Sequence, residues 1–511
     1  MSWVKKKRVL KIILLVILLG FPIYFPLKML AAGAIPHWHD TAWGLLLGLE
    51  NLQKIRLIGY EGGIPGIFYG PHWSWLVALV QIFNKDPIVI AFFVLVLPYF
   101  ILVPYLLYRF KPIFGGLSVI ILWLLYILAY YPNTVHLWHV NLAPIIFLGI
   151  FCSVVAINWD KEFKRNLISF FVLGILSGLL TQLHMSFGSI IFIGVVTYLL
   201  LNIFIFFNKK RKLKIFFTNL VYIFLPFLIG VSTASLPFIL FELRHGFGQT
   251  KRIIYVLTQS FLYNSAVVGQ VGLSDIQILE QFFLLPKNLF QVPGQLAYLW
   301  IFIVVFLVLY GFLTNKFSWT KAEKQLISFI VICSGMLLFV FLSSKNPIWN
   351  YQFIGAEIIF LLLTGVIISK FPFFKVLLFI WVIYLSVATI HRSFNEPKID
   401  PLTIQTLYTK KYILDFIYKD AQGKPFSVFV YAPSIYTFDY DYLFKWLGED
   451  KYHYIPQENQ NITYLIIPDA STLIREDFIN YKTPDSEFKT SNSWEIGGQT
   501  LIVKREKLSF N

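Results

Sequence analysis

The segment Pro36-His37-Trp38-His39-Asp40-Thr41-Ala42-Trp43 sets one carboxylate among two imidazoles and two indoles. A carboxylate beside a wet cavity can take the proton of an attacking hydroxyl. Asp is also a favoured N-cap, and the helical pattern starting at Thr41 needs one. Spacing alone leaves both roles open. His37 and His39, two apart, form with Asp40 a donor set of the kind that binds a divalent metal, although nothing in the spacing makes them converge. No cofactor is required by the sequence. His136 and His139, three apart, and Asn141 suit hydrogen bonding to a polar ligand. Trp38, Trp73 and Trp138 can stack on a ligand or belong to an interfacial aromatic belt.

Two further groups carry charge in apolar surroundings. Glu242, Arg244 and His245 close an apolar run, with Lys251 and Arg252 just beyond. Glu242 and His245 share a face if the helix continues through them. The cations can stabilise a developing negative charge or snorkel at the interface. Glu357 falls about four residues inside another apolar run. A carboxylate there costs roughly 2.5–3.5 kcal/mol on insertion scales, so it requires a neighbouring partner or a wet cavity.

The elements that must position these residues are membrane spans. The 511 residues are 57% hydrophobic, 18% aromatic and only 14% charged, against about 25% charged in soluble domains. Eleven apolar runs are long enough to span, near 9–30, 87–108, 113–131, 142–158, 166–182, 187–207, 215–238, 296–314, 325–343, 354–369 and 376–391. The first is longer than the core of a signal peptide and reads as an uncleaved span. Alternate connections gather twenty basic residues on one side against three acids, Asp160, Glu162 and Glu323. That side, with the N-terminus, is expected to be cytoplasmic. The net charge of +16 is therefore a topology signal, since residues 393–511 carry −3, and it gives no support to nucleic-acid binding. All nine His fall on the opposite face or at its edge.

The expected fold is an all-α polytopic membrane domain of about eleven transmembrane helices over residues 1–395, followed by a small extracytoplasmic α/β domain at 396–511. Within the first outer loop, 31–86, two short Trp-bearing stretches (41–52 and 71–83) read as interfacial helices or as buried helices of a compact loop. The last unit shows helices at 402–418 and 440–447 and strands at 426–432, 462–467 and 500–504. Asn461-Ile462-Thr463 matches a glycosylation sequon. Cys152 and Cys333 both lie in apolar runs and suggest neither disulfide nor metal.

Several motifs together resemble the GT-C superfamily of integral-membrane glycosyltransferases, in the branch of the protein O-mannosyltransferases and the lipid A aminoarabinose transferase. They are Asp40 just after the first span, Phe68-Tyr69-Gly70-Pro71-His72-Trp73-Ser74-Trp75-Leu76, Thr181-Gln182-Leu183-His184-Met185-Ser186 and Leu236-Pro237-Phe238-Ile239-Leu240-Phe241-Glu242-Leu243-Arg244-His245-Gly246-Phe247. The likeness covers about 1–395. It implies an integral enzyme of the cell or plasma membrane that moves a sugar from a polyprenyl-phosphate carrier to a lipid, glycan or protein acceptor on the outer face. Asp40 is then the base, and Tyr69, His136, His139, His184, Glu242, Arg244, His245 and Glu357 are candidate substrate contacts. Relatives in this branch carry an acidic pair where this chain has Asp40-Thr41, which concentrates the expectation on Asp40, with Glu50 or Glu61 as substitutes. The rival readings are a flippase or transporter of a lipid-linked saccharide, although no internal repeat of the transporter kind is visible, and a membrane scaffold whose outer domain binds a partner.

Overall fold

The structure is a computed structural model describing residues 20–508, apart from 64, 160–162, 211–212, 263–273, 315–317, 345–347, 396–405, 433–435, 469–470 and 498–499. Among the described residues, nine helices are long and apolar enough to cross a membrane: Pro87–Tyr108, Gly116–Thr134, His139–Ala156, Lys164–Leu183, Met185–Ile205, Phe217–Ala234, Lys321–Ser343, Asn350–Lys370 and Pro372–Ser393. The expected run at 296–314 is present as the second limb of a helix pair, Asp275–Phe290 and Gly294–Leu307, bent by 99°. Of the first expected span, residues 9–19 lie outside the described residues and 20–31 (α1) are helical.

The spans differ in what surrounds them. Asn350–Lys370 is central, with 78% of its apolar window buried, whereas only 17% of the Pro372–Ser393 window is buried. Phe93, Ile101, Phe302, Phe339 and Phe373 stand exposed on outer faces, as lipid-facing side chains do. Between helices, small residues permit close approach. A Cβ on Gly174 would stand 2.1 Å from the Phe227 carbonyl, and one on Gly230 would stand 2.2 Å from the Phe171 carbonyl.

Three boundaries depart from the sequence reading. The run at 113–131 is split at Gly115 (φ +81°) into Lys111–Phe114 and Gly116–Tyr130. The seventh span ends at Ala234, and Leu236–Arg244 is a separate short helix with Pro at its start. The tenth opens with a 3₁₀ turn, Asn350–Phe353, so that Glu357 is the first residue of the helix Glu357–Lys370 rather than one turn inside it.

The first loop folds into α2 (His39–Gln53) and α3 (His72–Gln81). They cross closely at Gly44 and Gly48. A Cβ on Gly44 would stand 2.5 Å from Trp73 Nε1 and 2.7 Å from the Tyr60 hydroxyl; one on Gly48 would stand 2.2 Å from Gln81 Oε1. A hairpin joins the two helices. Gly59 N–H donates to Tyr69 O at 2.8 Å, Tyr69 N–H to Tyr60 O at 2.8 Å, and Glu61 bridges Phe68.

Residues 406–508 form an α/β unit seated on this loop. Its sheet is ordered β1-β2-β4-β3, from β1 (Phe426–Val430), β2 (Ile462–Pro468), β3 (Phe488–Ile496) and β4 (Thr500–Lys507). β1 and β2 are parallel, as the helix Phe438–Leu447 between them allows, and the other pairs are antiparallel. The first helix of the unit is Leu407–Ala421; residues 402–405 of the expected helix lie outside the described residues. β3 and the helix Thr472–Lys482 were not visible in the sequence pattern. β3 (Phe-Lys-Thr-Ser-Asn-Ser-Trp-Glu-Ile) is mostly solvated and lacks the apolar alternation that marks a strand.

Candidate active site

α2 begins one residue before Asp40, and its N-cap is Trp38, which makes no side-chain cap. The N-cap role open to Asp40 in the sequence is therefore not the one it has. Its carboxylate sits in the first helical turn, where the helix dipole favours negative charge, and is half-buried, 3.4 Å from His39 Nε2. Burial raises its carboxyl above the usual carboxylate range, and His39 draws it partly back. Asp40 lies within electrostatic reach of Tyr60, Tyr69 and Tyr351.

Those tyrosines belong to a continuous aromatic wall. His139 lies between Tyr60 (4.8 Å between ring centres) and Tyr69 (4.7 Å). Trp38 meets His136 at 5.3 Å and Trp138 at 5.4 Å, and Trp138 meets Tyr351 at 5.2 Å. His184 stacks on Tyr351, with its Nε2 3.2 Å from the Tyr351 carbonyl. The hairpin explains why Tyr60 and Tyr69 stand together. Gly70 N–H donating to the Gln182 carbonyl at 2.9 Å ties that hairpin to the His184 turn.

The wall holds polar atoms without partners among the described residues: both ring nitrogens of His139, His136 Nε2, His184 Nδ1 and the Tyr60 hydroxyl. Burial pushes the His136 imidazole down to about 4, so it is neutral at physiological pH, able to accept or donate. Buried polar groups are normally paired; a cluster of orphans around one carboxylate is what a polar ligand would complete. Asn141, expected here as a ligand contact, is instead structural. Its amide donates to the His136 carbonyl at 2.8 Å, and its own carbonyl accepts from Tyr99.

The other expected residues divide into separate places. Glu242 is buried, and its carboxylate accepts from the backbone N–H of Gln249 (3.2 Å) and Thr250 (2.7 Å). It thereby caps the following helix, Gly248–Leu262. Since Leu236–Arg244 ends before His245, Glu242 and His245 do not form a helical pair. Arg244 is exposed, and exposed His245 stacks on Phe241 at 4.1 Å. This corner does reach the first loop. Gln249 Nε2 donates to the Phe68 carbonyl at 2.7 Å, and Arg252 Nε to the Pro65 carbonyl at 3.3 Å.

Glu357 is 2% exposed. It accepts from Gly355 N–H (2.7 Å) and Tyr126 OH (3.4 Å) and lines a cavity of about 640 Å³ with Tyr130, Lys287, Asn288 and Arg392. Glu50 pairs with Arg56, and Glu61 accepts from Gly66 N–H at 2.5 Å, so both substitutes for Asp40 are engaged. His37 turns away from His39. It is buried, its Nε2 donates to the Asp439 carbonyl at 3.0 Å, and burial with Lys410 nearby pushes it down to about 4. No group of three or more His, Cys, Asp or Glu able to hold a metal exists among the described residues. Thr41, where a second acid was expected from the resemblance, points into the packing and is 1% exposed. Tyr60 and Tyr351 were not anticipated. Neither lies in a periodic pattern, and only the hairpin and the turn before the tenth span bring them to Asp40.

No protein-family model and no curated protein matches the sequence. Solved structures do match in fold. The chain superimposes on ArnT from Cupriavidus metallidurans bound to undecaprenyl phosphate with a TM-score of 0.58 at 10% identity, over 94% of this chain and 97% of that one. The apo form of the same protein gives 0.55 at 10% identity, over 98% of each chain. The chain is thus an integral membrane protein with the fold of ArnT.

Proposed function

We propose that the protein is a glycosyltransferase that moves a sugar from a polyprenyl-phosphate carrier to an acceptor hydroxyl on the extracytoplasmic face, with Asp40 as general base. The observation that carries this reading is the carboxylate itself. Asp40 is unengaged by backbone caps, raised by burial and enclosed by aromatic rings and orphaned polar atoms. The fold shared with a protein bound to undecaprenyl phosphate supports the carrier class. In the step, Asp40 takes the acceptor proton as its oxygen attacks the anomeric carbon. The bond from that carbon to the phosphate oxygen breaks, and its electron pair leaves on the lipid phosphate. Arg252, which donates to the Pro65 carbonyl of the loop that carries Tyr69, and Arg244 at the end of the preceding helix are the cations that would stabilise that charge. Trp38 and Trp138 offer faces for the sugar, while His136, His139 and His184 offer hydrogen bonds to its hydroxyls. The excess of basic residues on the face opposite the first loop supports a cytoplasmic N-terminus. The acceptor is a lipid, glycan or protein.

The test is release of undecaprenyl phosphate from undecaprenyl-phosphate-linked sugars by the purified protein in nanodiscs. Wild type should release it in the presence of an envelope-lipid extract, and Asp40→Asn should not. Equal release by both proteins removes Asp40 as base.

One observation favours a second reading, movement of a lipid-linked saccharide. The first limb of the broken pair, Asp275–Phe290, and the break that follows it line the polar cavity at Glu357, and broken helices beside polar cavities occur in transporters. Transfer of the intact lipid-linked sugar between vesicle leaflets, with no cleavage, would select it.

A further inference from the structure

We propose that the C-terminal unit positions the active carboxylate, acting through Lys410 and Asp439 on the segment that leads into α2. The proposal rests on Asp40 being the base.

α2 needs an external fastening because its start has no side-chain cap. Without one, the first turn of a helix frays, and Asp40 lies in that turn. The fastening comes from residues nearly four hundred positions away. Leu407 N–H donates to the Ile35 carbonyl and Tyr408 N–H to the Gly33 carbonyl, both at 3.1 Å, and Pro36 bridges Thr406. Lys410 Nζ donates to the His37 carbonyl at 2.7 Å and is ion-paired with Asp439, whose own carbonyl accepts from His37 Nε2. The Lys410 ammonium also lies 5.3 Å from the centre of the Tyr440 ring. Lys410 is 5% exposed and His37 1%.

A buried lysine is costly unless it is fully paired. Here the ammonium finds a carboxylate, a carbonyl and an aromatic face, and the carbonyl belongs to the residue three before Asp40. The same unit presses on the site from a second direction. Phe438 meets Trp43 at 5.2 Å, Trp43 meets Tyr60 at 5.3 Å, and Tyr60 is part of the wall. Surface pairs close the perimeter: Lys85 with Asp450 at 2.8 Å and Lys411 with Asp86 at 3.5 Å. Among the described residues, Lys410 makes no contact with Asp40 or the aromatic wall. It is a positioning residue, holding the irregular approach 33–37 so that the first turn of α2 presents its carboxylate at one place.

Lys410→Met and Asp439→Asn each remove the pair, and Lys410→Arg keeps charge and donors. In the full chain in nanodiscs, hydrogen exchange by mass spectrometry should show the peptides covering 35–45 and 406–410 exchanging about tenfold faster in the first two variants, with the spans unchanged. Release of undecaprenyl phosphate should lose about 10- to 100-fold in kcat at nearly unchanged KM, as displacement of a catalytic group does. Lys410→Arg should restore both. Should Lys410→Met fail to fold, Asp439→Asn decides alone. Wild-type exchange, or faster exchange with kcat intact, overturns the proposal. An inactive Asp40→Asn beside an unaltered Lys410→Met overturns the clamp alone. A fully active Asp40→Asn overturns the base assignment and the proposal with it.

Discussion

Asp40 and Glu357 are both acids in the first turn of a helix, and they stand in opposite conditions. Glu357 is buried, and its carboxylate accepts from the Gly355 N–H and the Tyr126 hydroxyl. Asp40 is half-exposed, caps nothing, and has His39 as its one ion-pair partner among the described residues. Glu242 resembles Glu357, since two backbone N–H groups occupy its oxygens. A carboxylate whose lone pairs already hold the chain together is a structural part. One whose lone pairs are free, in a wall of unpaired donors and acceptors, is available to a substrate.

This contrast can be broken by substitution. Asp40→Asn is the largest expected loss, about 10²- to 10⁴-fold in the rate of sugar transfer, the range for removing a general base, with melting temperature unchanged. Glu242→Ala should act the other way. It leaves the Gln249 and Thr250 N–H groups unpaired, costing about 1–3 kcal/mol of stability by thermal melting, with transfer lost only in proportion to unfolding. Glu357→Gln keeps an acceptor for the Gly355 N–H and should cost about 1 kcal/mol with transfer retained. Transfer abolished by this variant in a folded protein would place Glu357 beside Asp40 in function and dissolve the contrast. The smallest effect is on pH dependence. Transfer should fall as the medium is acidified through the Asp40 carboxyl, which burial holds above the ordinary range. His39→Ala removes the charge that lowers it, so the acid limb of the rate profile should move to higher pH.

Much of the scaffold was legible from the chain, because lipid as solvent imposes a coarse rule that a composition window detects. Nine expected runs are helices of spanning length among the described residues, and Asp40 drew attention in the sequence as a carboxylate among Trp and His just past an apolar run. What was not legible depends on long-range contact. Tyr351 comes to the site from a turn more than three hundred residues away, and Tyr60 arrives through a hairpin whose strands are too short to show alternation. The capping role of Glu242 could not be read either. It exists because the helix breaks after Ala234, where Ser235 and Pro237 open a new one, so the apolar run that looked like one span is two elements. The fastening at Lys410 is hidden for a similar reason, since a lysine in an amphipathic helix ordinarily faces water.

The crossing of α2 and α3 has a mechanical corollary. At Gly44, one added methyl group would stand 2.7 Å from the Tyr60 hydroxyl and 2.5 Å from the Trp73 indole nitrogen. Tyr60 has little room to retreat, because Trp43, Tyr69 and His139 already press on its ring. The joint therefore has no clearance, in the sense used for fitted parts. The fit of Tyr60 in the aromatic wall beside Asp40 is gauged by a carbon atom that the chain leaves out.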